Sequence, residues 1–186
     1  MLEKPVMHAD TITLRPLTGA DAPAMFAAFG DEEVDRLTGT QDTFTLEQVQ
    51  AYYTRIETAD DRADYAIVLK DDPSRLLGEV VLNDIDWENQ VANFRIVILK
   101  SADFGKGYGS QATRLMVQYG FEKLKLHRIE LEVYDFNPRA QRVYEKCGFK
   151  REGLRRETLV WDGERHGAIV MGMTRPDYDE FVNTQA

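Results

Sequence analysis

Phe104-Gly105-Lys106-Gly107-Tyr108-Gly109 and, one strand later, Asn137-Pro138-Arg139-Ala140-Gln141-Arg142-Val143-Tyr144-Glu145-Lys146-Cys147-Gly148-Phe149 decide how this chain is read. The first block separates a strand from a long helix, on which Ala112, Leu115, Met116 and Tyr119 recur at helical spacing to about Lys125. Glycines let the backbone approach a ligand closely. The unpaired N–H groups at a helix start, with the helix dipole, favour an anion. A phosphate or pyrophosphate is the natural guest, with Lys106 adding charge and Ser110 a hydroxyl. The second block opens as a helix does, with a capping asparagine and a proline at the first helical position. Ala140, Val143, Tyr144 and Cys147 form its apolar stripe, and Gly148 stops it.

Working outward, Thr11–Leu17 alternates as a half-buried strand, and a helix runs from Thr18 or Asp21 to about Gly30. Thr45 and Gln48 form a capping box for a helix carrying Leu46, Val49, Tyr52, Tyr53 and Ile56. Strands are expected at 64–70, 76–85, 91–99 and 128–134. Two more, at 149–161 and 168–175, flank an Asp162-Gly163 hairpin turn. The order β-α-α-β-β-β-α-β-α-β-β predicts an α/β protein, a mixed and mostly antiparallel sheet of about seven strands with helices on both faces. Residues 1–186 read as one domain with its core at about 11–175, because no linker, repeat or low-complexity tract interrupts them.

Composition narrows the function classes. The net charge of −9 argues against nucleic acid as a partner. It is unevenly spread: Asp10–Asp64 holds twelve acidic and four basic residues, Lys100–Arg156 thirteen basic and seven acidic. One cysteine, Cys147, excludes a disulfide framework, and three scattered histidines give no metal signature. Met1–Asp10 has no apolar run, so no secretory signal is expected, and no stretch is long enough to span a membrane; a cytoplasmic protein is the plain expectation.

Two nucleotide motifs fail. No Gly-x-x-x-x-Gly-Lys-Ser/Thr string occurs. The dinucleotide fingerprint would need its third glycine one position later, although Glu130 or Glu132 imitates its acidic partner.

Taken together, the two blocks resemble the GCN5-related N-acetyltransferase (GNAT) superfamily, most closely its Rim-type and spermidine-acetyltransferase branch. The resemblance runs from about Ile12 to Arg175. It implies acetyl-CoA as cosubstrate, with no metal. Phe104–Gly109 falls on the family's Arg/Gln-x-x-Gly-x-Gly/Ala motif, whose amides hold the pyrophosphate of coenzyme A, and Ser110 follows it as a further cofactor-binding candidate. The main chain at Ile96, Val97 and Ile98 would bond the pantetheine arm, Asn137 would contact it, and Tyr144 would protonate the departing thiolate. Phe104 departs from the motif's Arg or Gln. Asn93 and Arg95 stand where many relatives have a Glu followed two residues on by Gly.

Acetyl transfer to an amine needs a base, since an alkylamine of lysine type, with a reference pKa of about 10.4, is mostly charged at neutral pH. Glu79, Asp84 and Asp86 are the candidates. Cys147 lacks a neighbouring activating base and reads as core. The acceptor expected from the acidic first half is cationic, a polyamine or basic peptide N-terminus. A non-catalytic acyl-CoA-binding module is the alternative, motivated by Phe104, Asn93 and Arg95. A nucleotide-dependent oxidoreductase is a third reading, from the glycine spacing alone. Trp161 and Met171–Met173 on the last strands are candidates for a homodimer contact.

Overall fold

The computed structural model describes residues 2–185. One eight-stranded sheet runs through it: β1 (Met7–His8), β2 (Ile12–Pro16), β3 (Ala63–Leu69), β4 (Leu76–Asp86), β5 (Val91–Ile98), β6 (Arg128–Tyr134), β7 (Lys150–Trp161) and β8 (Glu164–Thr174). Their spatial order is β1-β2-β3-β4-β5-β6-β8-β7. Every adjacent pair is antiparallel except β5–β6, which is parallel. The fold is thus the mixed α/β class expected, with eight strands where about seven were read.

Strand periodicity sorts side chains between two cores. On β3, Tyr65 and Ile67 enter one core while Ala66 and Val68 enter the other, as alternation demands. α1 (Ala22–Ala28) and α3 (Leu46–Glu57) cover the Ala66 face through Met25, Val49, Tyr53 and Ile56. α4 (Tyr108–Gln118), α5 (Pro138–Lys146) and α6 (Arg175–Gln185) cover the other, through Met116, Tyr144 and Tyr178.

The local signals that placed these elements are present. The Thr45 hydroxyl accepts from Gln48 N–H at 3.3 Å and Gln48 Oε1 accepts from Thr45 N–H at 2.8 Å, closing the capping box of α3. Asn137 Oδ1 accepts from Ala140 N–H at 3.1 Å. Asp162 and Gly163 carry φ of 48° and 80°, the left-handed pair of a tight hairpin turn.

Three elements depart from expectation. β1 is only two residues long and adds an edge to β2. α2 (Glu32–Thr38) buries Val34 alone, so it has no apolar stripe to announce it. α6 follows β8 directly, and Thr174 and Asp177 cap it: Asp177 Oδ2 accepts from Thr174 N–H at 2.9 Å and from its hydroxyl at 2.6 Å. That Thr-x-x-Asp spacing was the available signal. No helix among the described residues is long and apolar enough to cross a membrane.

Candidate active site

β5 and β6 pair only at Val91–Arg128, Ala92–Ile129 and Asn93–Glu130. Beyond Asn93 the strands diverge, while β5 stays paired with β4 as far as Ile98. The divergence opens a cavity of about 440 Å³. Its walls come from β4 and β5, the glycine loop, β6 and α5, with α2 across it through Val34, Leu37 and Thr38.

Ile96, Val97 and Ile98 line the cavity along the edge of β5 that β6 leaves unpaired. Phe104, Gly105, Gly107, Tyr108, Gly109 and Ser110 line it at the start of α4. Gly105 and Gly107 have φ of 75° and 81°, so only glycine sits there unstrained. Gly109 is different: it is helical, and a Cβ built on it meets nothing within 4 Å. The chain itself gives no reason for glycine there, whereas a ligand seated on the exposed helix start would. Gln111 N–H bonds Gly107 C=O at 3.1 Å, whereas the amides of Tyr108, Gly109 and Ser110 have no backbone partner among the described residues, which leaves them for an anion. The residues therefore fit the pyrophosphate of coenzyme A.

Lys106 does not line the cavity. Its Nζ donates to Asp103 Oδ1 at 2.7 Å, an oxygen that also takes Arg75 at 2.6 Å. Asn137 does line it, with Oδ1 engaged as the α5 cap and Nδ2 without a partner among the described residues.

Tyr144 is held between Phe94 and Phe149, each ring centroid 6.0 Å from its own. Tyr144 lines the cavity, and its hydroxyl has no hydrogen-bond partner among the described residues. Burial raises its pKa well above the ordinary phenol value, keeping the proton on the oxygen.

Of the three carboxylates considered as base, only Glu79 lines the cavity. Glu79 pairs across to Val97, and its neighbour Val81 pairs to Arg95, so Glu79, Val81, Arg95 and Val97 share one face of the sheet. Tyr53 on α3 donates its hydroxyl proton to Glu79 Oε2 at 2.8 Å. Burial pushes the Glu79 carboxyl above the usual range, while the Tyr53 hydrogen bond and Arg95 act the other way. Asp84 lies in the irregular stretch between Asn83 and Asp86, at φ 52°, exposed and bonded by Asn83 Nδ2 at 2.6 Å. Asp86 accepts from Asn89 N–H and Nδ2 at 2.9 and 2.7 Å, closing the β4–β5 turn. Neither reaches the cavity.

Asn93 is likewise spent within the sheet, donating to Asn83 Oδ1 at 3.0 Å. Arg95 stays on the cavity wall. Cys147 is buried and its thiol donates to Ser110 C=O at 3.8 Å; burial raises its pKa, as suits a core residue. Residues that sequence reasoning did not assign to the site are Tyr53, Glu132, Tyr134 and Arg139. Glu132 shares the cavity wall but is paired with Arg155 at 2.5 Å.

The model of the acetyltransferase (GNAT) domain matches residues 11–150. A probable N-acetyltransferase of Bacillus subtilis, YjcK, is 31% identical over 183 residues, covering 94% of this chain and all of that protein. Spermidine N(1)-acetyltransferase of Vibrio cholerae is 37% identical over 118 residues, 63% of this chain and 68% of that one. A crystal structure of spermidine N-acetyltransferase from Vibrio cholerae in complex with CoA and spermine superposes with a TM-score of 0.82 at 24% identity, covering 90% and 97% of the two chains. The chain belongs to the GNAT acetyltransferase family. Its enzyme class, acetyl-CoA as acetyl donor and an amine as acceptor follow from that membership, as the two motif blocks lead one to expect.

Proposed function

We propose that the whole chain acts as one transferase domain, passing acetyl from acetyl-CoA directly to a primary amine, with Glu79 as base and Tyr144 as acid. The observation carrying this reading is that a half-buried carboxylate and a phenol with no hydrogen-bond partner among the described residues line the same cavity as the glycine cradle. Acetyl-CoA brings an activated thioester. The open edge at Ile96–Ile98 supplies main-chain groups for the pantetheine arm, and Asn137 Nδ2 a donor beside it. Glu79 takes the ammonium proton, directly or through water, so that the nitrogen lone pair forms the new C–N bond. As the C–S bond breaks, the Tyr144 hydroxyl gives its proton to the sulfur and regains one from the second proton that the new amide nitrogen sheds, while Glu79 returns its own to solvent. Cys147 stays outside the reaction.

The acceptor favoured is cationic. The Vibrio cholerae relative named for spermidine supports a polyamine, and so does acidic α2 beside the cavity. A basic peptide N-terminus has the same charge logic. A cytoplasmic homodimer is the accompanying proposal. β7 is an exposed sheet edge, with Leu154 and Val160 48% and 45% exposed, which suits strand pairing with a second copy.

Thiol release from acetyl-CoA tests the reading, with spermidine, spermine, free amino acids and basic peptides as acceptors. Turnover with at least one amine is expected, with kcat falling about 100-fold in Tyr144→Phe. No release with any amine, together with a Tyr144→Phe variant that behaves like the parent, would overturn it.

A further inference from the structure

Phe104 puts an aromatic ring beside the anion cradle, and the loop's own cation, Lys106, is turned away onto Asp103. The cradle's wall is nevertheless not without positive charge. Arg139, in the first turn of α5, lays its guanidinium carbon 3.9 Å from the centroid of the Phe104 ring. Both residues line the cavity together with Gly105 and Gly107. A guanidinium stacked on a ring keeps its N–H groups in the ring-parallel plane, free to donate edge-on to oxygens at the side.

The only carboxylate that Arg139 meets among the described residues is Glu33 of α2, at a single contact of 3.4 Å, with side chains 43% and 54% exposed. An exposed pair of that length is weak and is readily exchanged for a better anion. Arg95, the other arginine on the cavity wall, stands on β5 beside Glu79, away from the loop.

We propose that Arg139, braced on Phe104, is the cationic ligand of the coenzyme A pyrophosphate, supplied by α5 in place of a polar side chain on the loop. The assignment rests on the acetyl-CoA reading above. It gives Phe104 a purpose: the ring is the platform that aims Arg139 at the cradle. It also ties the two substrates together, because the pyrophosphate takes Arg139 away from Glu33 and so frees an acidic side chain of α2.

Calorimetric titration with CoA, dephospho-CoA and pantetheine separates the possibilities without relying on turnover. Loss of a charge-assisted hydrogen bond to phosphate corresponds to about tenfold or more in Kd. Arg139→Ala is therefore expected to weaken CoA and dephospho-CoA about equally and to leave pantetheine, which has no phosphate, unchanged. Phe104→Ala should show the same phosphate-dependent pattern with a smaller loss. The double variant Phe104→Arg with Arg139→Ala, which moves the guanidinium onto the loop, should recover CoA affinity.

Three outcomes would overturn the assignment alone: parental CoA affinity in Arg139→Ala, an equal loss on pantetheine, or a loss on CoA that disappears with dephospho-CoA. The last would place the contact on the 3′-phosphate. A parent chain that binds no CoA would instead remove the functional reading, and this assignment with it.

Discussion

Glu79 shows how one side chain acquires surroundings that its neighbours in sequence do not. Burial lifts its pKa and the Tyr53 hydroxyl pulls it back, so the carboxylate is a stronger base than a solvated one while still held in place by α3. If it is the base, kcat/KM falls as pH drops through that raised value. Removing the donor raises the value further, so Tyr53→Phe is expected to move the acidic limb of the pH–rate profile to higher pH. A profile that keeps its limb in Tyr53→Phe argues against Glu79 as the base. The stability sign is opposite to the usual carboxylate case. With the native pKa above the unfolded one, Glu79 favours folding most when neutral and costs stability as pH rises through its native value. Glu79→Gln is expected to raise Tm at neutral pH while abolishing the limb. The sequence offered Glu79, Asp84 and Asp86 on equal terms. What separates them is the irregular pairing between Asn83 and Asp86, set by the register of β5, which no local pattern reveals.

At the level of elements, legibility followed how local the determining chemistry is. α3 and α5 were readable because their caps lie within three residues of the groups they satisfy. α2 was not, because it is seven residues long with one buried side chain and is held from outside: Asp31 accepts from Ser101 N–H at 2.8 Å and its hydroxyl at 2.9 Å. The glycine loop illustrates the same division at α4. Its two positive-φ glycines are needed by the backbone, but Gly109 is not. Gly109→Ala is therefore expected to keep or raise stability by about 0.4–1 kcal/mol, as such substitutions do where the conformation is compatible. The same variant should weaken CoA binding, because the new methyl occupies the ligand's side of the helix start. Thermal melts and calorimetry on one variant check both halves. A parallel loss of stability and affinity would mean that Gly109 serves the fold.

For the molecule as a whole, the uneven charge was visible in the sequence, but its distribution between structure and function was not. Asp31 is spent on α2 and Ser101, and Glu33 meets Arg139. Glu32 and Asp35 have no side-chain ion pair among the described residues, so under the proposed function they are the charges of α2 left to steer a cationic acceptor. Reversing both to lysine is expected to raise KM for a polyamine several-fold at low salt, less at high salt, with the acetyl-CoA KM unchanged. An unaffected polyamine KM would reduce this charge to solvated surface. Asp31→Lys belongs to a different class: it is expected to lower Tm, since it removes the α2 cap and the Ser101 contact together.

The parallel register of β5 and β6, which stops after three residue pairs, also has a mechanical meaning. The sheet is continuous at one end and cleft at the other, like a split plank, with helices packed on both of its faces. Main-chain groups along the cleft are left for a guest to engage. A pantetheine arm lying there acts as a spline, joining the β1–β5 half of the sheet to the β6–β8 half. On that view the donor substrate is part of the architecture while it is bound, and the enzyme is most nearly a complete sheet when it is ready to react.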